Sequence, residues 1–306
     1  MTNEKKGFTS TIADYPERGE GGNQRYRGNC SPKLIEDLIR QYSIRSLSDY
    51  MVGSGTTRDV CNRLRVQGDY LDLNCGFDLI AMDIPSRPEN IFWHPPYHDI
   101  IVYSGRQYKT EDVIRKYGIN PQENDLSRCG SWDEFVRKMN YCMIKQFVSL
   151  EKGGRMFVLM GDIKKKGHLY SMLCDIAKPG TLEQIIIKMQ HNCVSDRRQY
   201  SGNFIPIAHE YLMVVRKDLG LFYDISLPTK RPFDIRDSLD STWRDVVASV
   251  LEDAGKPLAL SEIYQKVEGH RKARNNSHWT EKIRQTLYCN PNCFRKIDRG
   301  VWALAA

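Results

Sequence analysis

The 306-residue chain has no apolar run near the roughly 20 residues that a membrane-spanning helix needs. Its leading segment, Met1 to Gly22, is polar and rich in Gly, Glu and Lys, without the apolar core of a secretory signal. Both absences lead us to expect a cytoplasmic chain with no membrane partner. Zinc-ligand spacing is missing as well. The nine cysteines are scattered, and Cys289 and Cys293 form a close pair that no second pair completes. We expect reduced, mostly buried thiols and no metal. No strong excess of one charge is present either. The formal charge is +7, and Ser241–Ala306, with 11 Lys/Arg against 7 Asp/Glu, holds +4 of it. That distribution suits nucleic acid, and suits a solvated basic surface equally well.

What is present is an alternation of helical and extended patterns. Leu34, Ile35, Leu38, Ile39 and Tyr42 share one helical face, with Ser31 as N-cap and Pro32 at the first helical position. A strand ending near Asp49, a glycine turn, a helix over about 56–66 and a strand over 69–73 follow. Phe77 to Met82 is apolar and ends at Asp83; Ile91 to Trp93 is a further strand. Trp132, Phe135, Val136, Met139, Met143 and Phe147 define a long amphipathic helix over 131–150. A strand at 156–160, a helix at 168–177 and two antiparallel edge strands at 182–189 and 210–215 complete the pattern. It predicts an α/β fold, a Rossmann-like, mostly parallel sheet with helices on both faces. The expected divisions are a flexible lead at 1–24, a first domain at 25–216, a linker at 217–240 and a second domain at 241–306. In the second, helices at 242–254, 261–267 (capped by Ser261) and 277–288 precede a hairpin around Asp298-Arg299-Gly300, the order of a winged helix.

Two motifs carry chemistry. Asp49-Tyr50-Met51-Val52-Gly53-Ser54-Gly55-Thr56-Thr57 places glycines between a strand end and a helix, where a ligand can approach the backbone. No lysine follows the glycines, as a P-loop requires, and position 58 is Arg where a dinucleotide site prefers glycine. A turn for S-adenosylmethionine tolerates this pattern. Asp49 would face the methionine end, Asp72 the ribose hydroxyls and Asp83 the adenine side. A purely structural turn with exposed acids is the competing reading. The second motif, His94-Pro95-Pro96-Tyr97, fixes a rigid extended backbone just past a strand end. A side-chain acceptor at its first position and a carbonyl near Pro95 could take the two N–H groups of a base amino group. Tyr97 could stack on a flipped base. A surface turn, or a satisfied structural histidine at His94, competes here.

Together the motifs resemble the DNA amino-methyltransferases that modify adenine N6 or cytosine N4, over roughly Arg25 to Arg216. Their catalytic motif is usually Asp, Asn or Ser followed by Pro-Pro and an aromatic. Asn29-Cys30-Ser31-Pro32 resembles the segment that closes over the cofactor's methionine, and His209 to Val214 resembles the final strand. The resemblance implies S-adenosylmethionine as cofactor, held by Asn29, Cys30, Ser31, Asp49, Gly53, Ser54, Gly55, Thr56, Thr57, Asp72 and Asp83. It implies catalytic roles for His94, Pro95, Pro96 and Tyr97, double-stranded DNA as partner, and a bacterial or phage-like restriction-modification setting that admits a cognate restriction endonuclease. Adenine is favoured because the Ser usual in cytosine enzymes is absent; cytosine N4, RNA or a catalytically silent DNA-binding protein are the alternatives. Transfer to a base carbon would need a cysteine nucleophile, typically in Pro-Cys, and no Pro-Cys occurs.

His94 departs from the family pattern. A neutral imidazole offers one acceptor nitrogen and an imidazolium offers none, so activity should require neutral His94. Arg197, Arg198, Tyr200 and Phe204, between the last two strands, could grip the phosphate backbone and the flipped base, or form an ordinary solvated loop. The second domain resembles winged-helix modules of restriction-modification and chromatin proteins. Asn275, Asn276, His278, Lys282, Arg284 and Gln285 around its third helix could read base edges and hold phosphates, with Trp279 and Ile283 in the core. Such modules also bind protein.

Overall fold

The computed structural model describes residues 7–191, 203–220, 223–229 and 234–305. The chain divides into two units, Met1–Pro228 and Thr229–Ala306. The first is a twisted sheet covered on both faces. Its lead, expected as flexible, carries β1 (Ile12–Ala13). Helix α1 (Pro32–Tyr42) buries Leu34, Ile35, Leu38 and Ile39 as the periodicity predicts. Ser31 has the extended N-cap backbone, but its hydroxyl donates to the Arg18 carbonyl at 2.8 Å instead of capping the helix. Helix α2 (Thr56–Leu64) starts from the glycine turn and ends at Arg65, whose left-handed φ of 59° stops it before Gly68.

Strand β2 (Asn90–Trp93) leads to α3 (Thr110–Tyr117) and α4 (Trp132–Ser149), the latter capped by the Ser131 hydroxyl. Strand β3 (Arg155–Met160) follows. The expected helix at 168–177 is mostly absent. Instead β4 (Asp162–Lys165) and β5 (His168–Ser171) form a hairpin, and α5 (Met172–Asp175) is a single turn. Lys166 and Gly167, at φ 48° and 79°, give the two positive φ values that a tight hairpin turn needs. Short β6 (Lys178–Pro179), then β7 (Thr181–Met189) and β8 (His209–Arg216) complete the main elements. Part of the expected linker folds back on this unit, since β9 (Ile225–Ser226) pairs with β6.

The sheet order is β1-β7-β8-β3-β2, with β8 antiparallel to both neighbours and the other pairs parallel. Backbone pairing continues beyond β2. Phe92 N–H donates to the Ser48 carbonyl at 2.9 Å, and Asp49 N–H to the Asp69 carbonyl at 2.8 Å. Segments 46–49 and 67–71 thus extend the sheet in parallel. Alternation sorts the side chains: Ile91, Trp93, Met156 and Val158 pack with α4, whereas Phe92, Phe157 and Leu159 pack with α1 and α2. Burying each large side chain stabilises the fold by about 1.5–3 kcal/mol. This is the Rossmann-like α/β arrangement that the alternating pattern predicts.

The second unit has its own core. Helix α6 (Trp243–Ala254), capped by Thr242 and closed at Gly255, packs with α7 (Leu260–Val267), α8 (Arg271–Arg274) and α9 (Trp279–Cys289). Ser261 does not cap α7; Ala259 holds that place, and its N–H donates to the Glu262 carboxylate at 2.7 Å. Strands β10 (Leu258–Ala259), β11 (Phe294–Asp298) and β12 (Val301–Leu304) form a small sheet in the order β10-β12-β11. No helix among the described residues is long and apolar enough to cross a membrane. Of the eight described cysteines, Cys30, Cys61, Cys129 and Cys142 are buried, and all eight are free thiols.

Candidate active site

Three adjacent parallel segments end side by side, and each delivers a polar residue past its carboxyl end: Asp49, Asp72 and His94. That edge is where open α/β sheets bind ligands. A cleft with about 790 Å³ of empty space lies there, partly open to solvent. The glycine turn forms one wall, with Gly53 and Gly55 at φ 45° and 84°. Asp49 is almost fully buried; Thr57 Oγ1 donates to its Oδ2 at 2.6 Å and Met51 N–H to its Oδ1 at 3.0 Å. Asp72 accepts from Gly53 N–H and Asn74 N–H, each at 3.0 Å. Burial pushes Asp49 up to about 7 and Asp72 up to about 6, against the hydrogen bonds that favour the ionised forms.

The structure does not bring Asp83 to this cleft. Asp83 is exposed, because 77–82 forms turns and not a strand. Asp78, at the start of that stretch, lines the cleft instead; it accepts from the Ile80 and Ala81 N–H groups and from Asn124. Phe77, Leu79 and Ile80 give an apolar wall, and Tyr26, Tyr103 and Tyr108 line the cleft as well. Asn29, Cys30, Ser54, Thr56 and Thr57 are also at the cleft, while Gly55 and Ser31 do not line it. Arg18 was missed by motif reading. Its Nη2 is buried without a hydrogen-bond partner among the described residues. A Cβ placed on Gly22 would lie 3.1 Å from Arg18 Nη2, 3.1 Å from Ser54 Oγ and 2.2 Å from Thr56 Oγ1, so the guanidinium adjoins the hydroxyls of the turn.

This donor set fits S-adenosylmethionine. Asp72 can accept from ribose hydroxyls, the Phe77–Ile80 wall suits a flat ring, and Asp49 can accept from an ammonium.

A second cleft, with about 1600 Å³ of empty space, adjoins the first and shares Gly28, Asn29, His94 and Tyr103 with it. Pro96 faces the first cleft; Pro95, Tyr97, Asp162, Glu210 and Phe204 line the second. Lys164 Nζ sits 5.0 Å from the Phe204 ring centre. Arg197, Arg198 and Tyr200 lie outside the described residues. His94 Nε2 is 3.1 Å from Tyr97 Oη; Tyr97 Oη donates to Glu210 Oε1 at 2.8 Å; Lys188 Nζ donates to Glu210 Oε2 at 2.6 Å. Burial lowers the His94 imidazole to about 4, opposed by the Glu210 carboxylate and helped by Lys188. His94 is therefore neutral at neutral pH. Lys188 and Glu210 escaped the motif reading. Their signal was a charged residue inside each of two strongly apolar strands, Ile185-Ile186-Ile187-Lys188 and Glu210-Tyr211-Leu212-Met213.

In the second unit, Asn275, His278, Lys282, Arg284 and Gln285 are exposed and Asn276 is partly so, while Ile283 is buried and Trp279 packs against Tyr264. Among the described residues no cluster of three His, Cys, Asp or Glu could hold a metal.

No family model and no curated protein sequence matches the chain. Among solved structures, it is similar to TrmN from Thermus thermophilus at 12% identity and a TM-score of 0.26, over 62% of this chain and 50% of that one. It is similar to the S-adenosylmethionine-dependent methyltransferase SibL in its apo form at 13% identity and a TM-score of 0.21, over 51% and 32%. PigF with SAH gives 11% and 0.22, over 61% and 59%. The chain thus spans less than two thirds of each of these structures.

Proposed function

We propose that this chain transfers methyl from S-adenosylmethionine to the exocyclic amino group of a base flipped from double-stranded DNA, with adenine N6 favoured. One observation carries the reading: a neutral acceptor, His94, stands on the wall shared by a cleft that fits the methyl donor and a second, larger cleft. When bound, the cofactor would supply a methyl group activated by its sulfonium; the sulfur would leave as the neutral thioether and the methylated amino nitrogen would give up one proton to solvent. The chain's own residues position and polarise the target. An aromatic amino group has a delocalised lone pair, and His94, by accepting one N–H bond, returns electron density to the nitrogen. A carbonyl near Pro95 would take the second N–H. Such preorganised contacts supply the acceleration that positioning and electrostatics can give. Neutral His94 also favours this reading over a silent protein, because the family's acceptor is replaced by another acceptor.

The second unit supports a duplex partner. Three helices, a fourth short turn and a three-stranded sheet follow winged-helix order, with the exposed polar residues of α9 available to a groove. A restriction-modification role with a cognate endonuclease extends the same reading. The test is transfer of labelled methyl by the full chain to mixed DNA, followed by nucleoside analysis. Label in N6-methyladenine is expected. Label in N4-methylcytosine, or on RNA alone, reassigns the substrate; donor binding without label on any nucleic acid overturns the reading.

A further inference from the structure

The chain Lys188–Glu210–Tyr97–His94 has one consistent arrangement of protons. Lys188 offers only donors, and its side chain and that of Glu210 are 11% and 9% exposed. Burial alone would raise the Glu210 carboxyl, but the Lys188 ammonium, by its charge and its hydrogen bond, holds it below the usual range, so Glu210 is ionised and accepts at both oxygens. Tyr97 Oη, 2.8 Å away, must then donate its proton to Glu210. Burial and the carboxylate keep that phenol protonated. With its proton committed, Tyr97 Oη meets His94 Nε2 as an acceptor, and the ring proton belongs on Nε2. Nδ1 keeps the lone pair and has no hydrogen bond among the described residues. Gly161 is part of the same device: a Cβ there would lie 2.6 Å from Tyr97 Cε2, so the ring holds its place only against a glycine.

We propose that Lys188, Glu210 and Tyr97 are positioning residues that set the tautomer of His94, holding its proton on Nε2 and presenting Nδ1 as the acceptor for the target amino group. The assignment of Nδ1 to a target rests on the methyl-transfer reading; the tautomer itself does not. A histidine can replace the family's carboxylate or carboxamide only if one nitrogen is kept as an acceptor, and this buried relay does so. Tyr97 thereby gains a role besides stacking on a base.

The decisive variant is Glu210→Gln. The buried Lys188 ammonium claims the new amide oxygen, which turns the amide NH₂ towards Tyr97. Tyr97 then accepts from the amide and donates to His94 Nε2, so the ring proton moves to Nδ1. Nitrogen NMR of the full chain labelled in histidine reads this directly, with no ligand added. The expected result is a pyridine-like Nδ1 and a pyrrole-like Nε2 in the natural protein, exchanged in Glu210→Gln. Tyr97→Phe, which removes the acceptor for Nε2–H, should give a mixture of tautomers. If the enzyme transfers methyl, Glu210→Gln should lower kcat by about 10²-fold with the KM for the methyl donor unchanged. A pyrrole-like Nδ1 in the natural protein, or a tautomer that Glu210→Gln leaves alone, overturns the relay. The expected NMR pattern without transfer to any base leaves the relay standing and removes the methyl-transfer reading instead.

Discussion

At the scale of single residues, burial sets the charges of the site. His94 has a folded pKa of about 4 against 6.5 for a free imidazole. Between those values the unfolded chain binds a proton that the folded chain does not. Through this group stability falls as pH drops from about 6.5 to 4, and no cost remains above. Under the proposed methyl-transfer reading the same shift keeps the acceptor neutral. Single-turnover transfer by the donor-saturated enzyme should be flat from about pH 5.5 to 8; a step of full amplitude near 6.5 would contradict this. Asp49 works in the opposite sense. Its folded pKa of about 7 stands above the ordinary 3.8. The folded state holds the extra proton in that window, so stability falls as pH rises from about 4 to 7 and stays reduced above. Asp49→Asn should therefore raise stability at pH 8 by about 1–3 kcal/mol, change little at pH 4, and weaken donor binding more than tenfold. Denaturant unfolding at the two pH values and calorimetric titration with the donor check both halves.

Among the elements, α1, α4, β3, β7 and β8 were legible because their apolar residues recur with one clear period over eight or more positions, or fill a short buried run. The 168–177 segment was not. His168-Leu169-Tyr170 and Met172-Leu173 match a helix locally, while the Lys166-Gly167 turn is a weaker hairpin signal than Asn-Gly. The stretch 77–82 misled for a related reason: its apolar residues line a cleft wall from turns, so the acid at its start, Asp78, and not the one at its end, Asp83, meets the pocket. The junction of β3 and β4 carries its own prediction. Gly161→Ala must push the Tyr97 ring aside, since the new Cβ would lie 2.6 Å from it. We expect a cost of about 1–3 kcal/mol in stability and about a tenfold loss of transfer rate, with donor affinity retained because Gly161 is not at the first cleft. A variant with unchanged rate would show that the ring position is immaterial.

For the whole molecule, each unit closes its own core. The buried cluster of the second unit runs from Val246 to Trp302 and includes no residue of the first. Deleting 229–306 should therefore leave the first unit folded and binding the methyl donor within about twofold of the full chain, because no donor-cleft residue is lost. DNA affinity should fall at least about tenfold and its salt dependence should weaken, since exposed Lys282 and Arg284 go with the deleted unit. Titration of duplex DNA at two salt concentrations measures both. Equal affinities would place DNA recognition in the first unit alone.

Short-range patterns in the sequence suffice for the order of the parts: a Ser-Pro start to the first helix, a glycine turn after Asp49, an extended segment leading to Asp72, a Pro-Pro corner after His94, and a second small unit. In such patterns a turn, a cap or a strand face depends on neighbours a few positions away. Tertiary structure alone decided what surrounds His94. Tyr97 and Glu210 are 113 positions apart, and they meet only because strand order sets β8 beside β3 in the sheet that ends at the Pro-Pro corner. The same closure carries Arg18 from the lead to the glycine turn. Burial gives these contacts their force, because desolvation makes His94 neutral and the paired charges of Lys188 and Glu210 fix where its proton sits. No local pattern encodes a desolvation that arises only when distant strands align.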